Sequence, residues 1–186
     1  MTYDANGRPA HSWRVLILPF LDKKELYDLD KFDEPWDSPH NSKLAEKMPD
    51  VYRCPSFKHH NIGNEIEKPY LTTQTNYVAI VGANTVFGKG QSRKIDDITD
   101  GVGQTLLLAE THFHAVHWMQ PEDLSPREIL TDLHNSDDEF HNNHTGGLHF
   151  AFADGRVHFF PTNTDPGLFL DLTTYAGKEP INENDY

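Results

Sequence analysis

The run from His144 to Phe160 constrains the fold of this chain more than any other. Leu148, Phe150 and Phe152 alternate with His149, Ala151 and Ala153, and after Asp154-Gly155 the residues Val157 and Phe159 alternate with Arg156 and His158. Alternation with a period of two is the pattern of a strand with one buried face. Asp-Gly between two such runs predicts a tight hairpin, because a type I′ turn needs positive φ at both central residues. With Asp154 and Gly155 as a two-residue loop, Ala153 faces Arg156, Phe152 faces Val157, Ala151 faces His158 and Phe150 faces Phe159. One face then carries Leu148, Phe150, Phe152, Val157 and Phe159. The other carries His149, Arg156 and His158, with the two imidazoles on a diagonal of roughly 7–8 Å.

The rest of the chain supplies short elements around this hairpin. Pro19 divides the apolar run Trp13 to Leu29 into a short element and a helix within about Asp22 to Leu29, with Asp22 as N-cap. Ser38-Pro39 predicts a second helix that ends by Met48, before Pro49. His59 to Asn64 reads as a surface loop. Thr75 to Val81 reads as a strand, Thr105 to Glu110 as a buried strand central in a sheet, Ser125-Pro126 as a helix start, and Asp165 to Tyr175 as a last helix carrying Leu168, Phe169 and Leu172. The acidic run Asp137-Asp138-Glu139 belongs to an excursion between strands. The whole is expected to be one domain over 1–186, with its core in about 11–175 and polar ends at 1–10 and 176–186.

Charge and cysteine count narrow the function. Acidic residues number 29 against 16 basic ones, a net charge of −13, so the summed field repels phosphate backbones and anionic membranes. Nucleic acid is not an expected partner. Cys54 is the single cysteine, which rules out an intrachain disulfide and a multi-thiolate zinc site. A thiol nucleophile would need a histidine partner that the sequence does not place. No apolar run approaches a membrane span, and residues 1–10 do not read as a signal peptide.

Twelve histidines raise a metal hypothesis, since eight of them lie between residues 112 and 158. His112 and His114 fall on one side of an extended segment, His144 sits beside Asn142-Asn143, and His149 and His158 share the hairpin's polar face. Three such imidazoles converging with Glu110 or an aspartate would form a zinc-like site. Solvent-facing imidazoles on a half-exposed sheet are the plainer reading, because the spacings match no standard zinc template. Asp96 to Gly101 fails as an EF-hand, with Ile98 and Leu107 where oxygen ligands are required, which leaves only an irregular calcium loop. No nucleophile elbow, phosphate loop or dinucleotide fingerprint occurs. Trp13, Trp36 and Trp118 could line a glycan-binding surface, although tryptophans more often anchor a core.

His144-x9-Asp154-Gly155, ending in Phe-Ala-Asp-Gly-Arg-Val-His-Phe-Phe, resembles the hallmark of the bacterial prepilin-type H-x9-D-G domain family, a family of unknown function. Further segments agree in order: Ser12 to Leu21, Asp33 to Asn41, Met48 to Pro55, Thr75-Asn76-Tyr77, Ile98 to Gly101, and Trp118-x-x-Pro121-Glu122-Asp123-Leu124. The resemblance spans roughly residues 7–175. It implies an extracytoplasmic α+β domain like the soluble part of type IV pilins and type II secretion pseudopilins, with an antiparallel sheet, short flanking helices and many loops. Family members begin with a hydrophobic helix that this sequence does not show, so membrane contact is expected only through such a segment. The resulting expectation is a non-enzymatic cell-envelope domain whose partners are proteins, among them other pilin-like subunits, with no cofactor. The alternative is a metal-binding module or metal-dependent hydrolase that uses His112, His114, His144, His149 and His158 with a zinc-like ion or calcium.

Overall fold

The computed structural model describes residues 2–3, 7–56, 72–88, 93–111, 114–135 and 144–182. They form α+β structure: short antiparallel sheets, short helices and long irregular connections. The chain divides into two compact units. One comprises Met1–Pro55, His59–Asn76 and Ala115–Glu122, and the other Ser56–Lys58, Tyr77–His114 and Asp123–Tyr186.

In the first unit, β1 (Thr2–Tyr3) pairs with β2 (Pro9–His11), and β3 (Gln74–Thr75) with β6 (Val116–His117). Ser12 caps α1 (Trp13–Leu16) by accepting the Val15 N–H, and its hydroxyl also donates to the Trp118 carbonyl at 2.8 Å. Pro19 ends that helix in a 3-10 turn over Leu18–Leu21, as its ring requires. Asp22 is not the N-cap of α2 (Lys24–Leu29). It closes the preceding turn with φ +56°, a left-handed conformation that aspartate tolerates, and α2 starts after Lys23. The helix expected from Pro39 is a 3-10 helix over Asn41–Lys47. Asn41 is buried there, with its side chain bonded to the backbone of Lys31, Glu34 and Pro35.

The core of this unit joins Val15, Leu18, Leu44, Met48, Tyr52, Trp118 and Met119. Trp118 is fully buried and donates its indole N–H to the Ala45 carbonyl at 2.8 Å. Trp36 stacks on His117 and Trp13 meets Tyr52 edge-on. The tryptophans therefore anchor packing and do not form an open platform.

The second unit is built on a sheet in the order β4-β5-β7-β8, made of β4 (Tyr77–Ala79), β5 (Leu106–Glu110), β7 (Gly147–Phe152) and β8 (Val157–Pro161). All neighbours are antiparallel, and β5 lies inside the sheet as its apolar run predicts. The expected strand Thr75 to Val81 is split at Asn76, whose side chain accepts the Cys54 N–H and so leaves the ladder between β3 and β4. Helix α3 (Pro126–His134) opens with a capping box between Ser125 and Glu128, and Asp165 caps α4 (Pro166–Leu172). Ile129 and Leu133 of α3, with Phe169 and Leu172 of α4, are buried. Phe169 meets Phe150 edge-to-face, and Phe150 meets Phe160. Burying each such aromatic ring contributes about 1.5–3 kcal/mol.

The hairpin exists, but its predicted register is off by one. Leu148 faces Phe160, His149 faces Phe159, Phe150 faces His158 and Ala151 faces Val157. The Phe152 N–H donates to the Arg156 carbonyl across a loop of Ala153, Asp154 and Gly155. Gly155 alone has positive φ, +88°, and Asp154 does not, which excludes the type I′ turn. One extra loop residue inverts β8. Phe160 and His158 face inward with Leu148, Phe150 and Phe152, whereas Val157 (62 % exposed) and Phe159 (45 % exposed) face out. His149 and His158 accordingly lie on opposite faces and share no site.

Candidate functional site: a buried glutamate holding two imidazoles

Glu110 ends β5, the acidic terminus of an otherwise apolar strand, with its side chain only 2 % exposed. A carboxylate so placed must be hydrogen-bonded or neutralised. Its Oε2 accepts the backbone N–H of His149 at 2.9 Å and lies 2.9 Å from that residue's Nδ1, while Oε1 lies 3.1 Å from His144 Nε2. Each ring nitrogen facing the carboxylate therefore carries a proton. That makes His149 the Nδ1–H tautomer and His144 the Nε2–H tautomer whenever the rings are neutral. The two rings meet edge-to-face with centroids 4.7 Å apart, and Phe159 packs on His149 from the exposed side.

The other end of the motif is held as firmly. Asp154 accepts the Arg156 N–H at 2.9 Å and the Arg156 Nε–H at 2.6 Å, and these bonds hold its carboxyl below the usual carboxylate range. Arg156 reaches on to donate to the Gly103 carbonyl. The Ala153 and Asp154 N–H groups donate to the carbonyls of Thr105 and Val102. His144 thus fastens the hairpin to the end of β5, and the turn fastens it to the residues that lead into β5. The spacing of nine residues between histidine and Asp-Gly is the length of chain that runs alongside that strand.

The other expected ligands go elsewhere. His114 Nδ1 lies 3.0 Å from Asp132 Oδ2, which also accepts the Thr111 hydroxyl at 2.6 Å. His158 packs against the Phe152 ring on the inner face. His112 lies outside the described residues, as do the loop His59 to Asn64 and the run Asp137 to Glu139. The five-histidine set is therefore not gathered among the described residues, where only His144 and His149 converge, on Glu110. Nothing in the sequence marks Asp132 or Arg156 as partners. A buried acid in mid-helix gives no local signal, whereas Glu110 stands out as the acid closing an apolar strand.

The family described as "Protein of unknown function (DUF1559)", SBP_bac_10, matches residues 2–128 and 125–167. The chain belongs to this family. The matched stretches of the DUF1559 chain include Glu110 in the first and His144 to Gly155 in the second. No curated protein and no solved structure matches it. No helix among the described residues is long and apolar enough to cross a membrane.

Proposed function

We propose that this DUF1559 chain is a non-enzymatic, pilin-like domain of the cell envelope that acts by contact with other proteins. The observation that carries the reading is the use of the H-x9-D-G residues: His144, Asp154 and Gly155 are all engaged in fixing a hairpin on a sheet. A motif engaged in this way positions a surface, and that surface bears exposed Val157 and Phe159. The acidic balance keeps nucleic acid and anionic lipid away from it. The test is to locate the natural gene product in its own cells by fractionation and by protease added to intact envelopes. Envelope-bound protein cleaved from outside is expected, and a product confined to the cytoplasm would overturn the reading.

A second reading rests on Glu110. A divalent ion between Glu110 Oε1 and His144 Nε2 would have one oxygen and one nitrogen donor, and His149, held on the other carboxylate oxygen, would have to swing across to complete a set suited to zinc. It predicts one zinc per chain by titration calorimetry, lost in Glu110→Gln. Absence of binding heat, with melting unchanged by chelator, would dispose of it.

A further inference from the structure

The two edges of the four-stranded sheet are treated differently. At β4 the edge is closed: the Ala79 N–H donates to Asp123 Oδ1 at 2.8 Å, the Leu124 N–H to the Ala79 carbonyl, and the Val81 N–H to the Leu124 carbonyl. At β8 it is open. The bonds from Phe152 N–H to Arg156 and from Thr162 N–H to Gly146 fix the phase of the ladder. By the alternation of antiparallel pairs, His158 and Phe160 turn their backbone groups toward β7 and Val157 and Phe159 turn theirs away. Neither outward N–H has a partner among the described residues.

Edge strands are ordinarily guarded by lysine, a bulge or an inward charge. Val157 to Pro161 contains no Lys, Arg, Asp or Glu, and its outward side chains are apolar. Only Pro161 guards it, at one end. Arg156, next to the strand, is tied back to Asp154 and Gly103.

We propose that Val157–Pro161 is a self-association surface, on which β8 of a second copy lies antiparallel about a twofold axis at His158. The outward groups are self-complementary in that register. Val157 N–H and C=O bond reciprocally with those of Phe159 in the second copy, at both ends of the pair, whereas the Pro161 carbonyl is already taken by the backbone and hydroxyl of Thr164. The charge pattern favours a second copy at this strip. A chain of net charge −13 can approach itself most closely where no acid stands, and Arg156 comes opposite Phe160, not another charge. So short an edge buries well under the about 1,200 Å² of the smaller stable complexes, so the pairing is weak and reversible. This deepens the protein-contact reading, and the two can fail separately.

Sedimentation equilibrium of the full chain from about 10 µM to about 1 mM is the test. A monomer–dimer equilibrium is expected, tightening about threefold or more as salt rises from about 50 to about 500 mM and screens the mutual repulsion. Phe159→Lys should weaken it about tenfold or more, by lining the edge with a charge, while Ile95→Lys, at an exposed position elsewhere in the same unit, leaves it unchanged. The Val157 and Phe159 amides of the wild-type chain should gain protection from hydrogen exchange as concentration rises, a readout that does not depend on the folding of any variant. A monomer throughout, species beyond the dimer, or a dimer without protection at those two amides overturns the proposal. A monomer that still localises to the envelope removes this surface and leaves the protein-contact reading intact.

Discussion

Glu110 is the residue on which the second unit's polar structure turns. Its carboxylate takes bonds from His144 and from both the ring and the backbone of His149. Glu110→Gln keeps the shape and removes the charge, and its amide cannot accept at both ends. A loss of about 2–3 kcal/mol in urea unfolding is expected. In the first unit, His117 has its pKa lowered by burial, and its Nδ1 accepts the Met119 N–H, which only a ring unprotonated there can do. The unfolded chain therefore binds the proton more readily than the folded one, and stability falls as pH drops below the ordinary histidine value. Between about pH 7.5 and about pH 5.5, His117→Gln should lose less stability than wild type, as measured by urea midpoints. The acid end of the Glu110 site was visible in the sequence because it interrupts an apolar run. Asp132 was not, since a helix period tells where a face lies and not that a buried threonine and a histidine will meet one acid on it.

At the scale of elements, the presence of the hairpin was legible and its register was not. Asp-Gly fits a two-residue type I′ loop and equally a three-residue loop with glycine alone in the left-handed region. Phe159 and Phe160 are adjacent phenylalanines, so alternation does not decide which of them is buried. The packing of Phe160 against Phe150 decides it. Two glycines of the hairpin differ in kind. Gly155 has φ +88° with open space around it, so Gly155→Ala should cost about 1 kcal/mol of backbone strain. Gly147 lies directly against the Phe160 backbone carbonyl, where an added methyl would displace β8. Gly147→Ala is expected to cost about 2–3 kcal/mol, and thermal melting of the pair would separate the two causes. A capping side chain before a proline made the helix starts legible at Ser125 and Asp165, whereas at Ser38-Pro39 the same signal precedes a 3-10 helix that starts only at Asn41. Asp22 looks like a helix start in the sequence because a left-handed residue and a cap draw on the same short polar side chains.

For the whole molecule, net charge sets the electrostatic expectation. With 29 acidic and 16 basic residues, the chain should show no retention on immobilised DNA and no binding to anionic vesicles at about 150 mM salt, and binding of either would contradict the electrostatic argument. Short apolar runs punctuated by proline and glycine indicated a sheet with short helices, and the family resemblance implied the α+β class that the structure has. The division into two compact units did not, because each is assembled from separated stretches of chain and no linker of distinct composition marks the boundary. Among the described residues, the sheet has one sealed margin, where Asp123 and Leu124 occupy β4, and one bare margin at β8. An object with a single sticky side makes a pair and then stops, since joining two bare margins leaves only sealed ones facing outward. Stoichiometry is thereby capped at two through this sheet, and any longer polymer of the protein has to be built through some other surface.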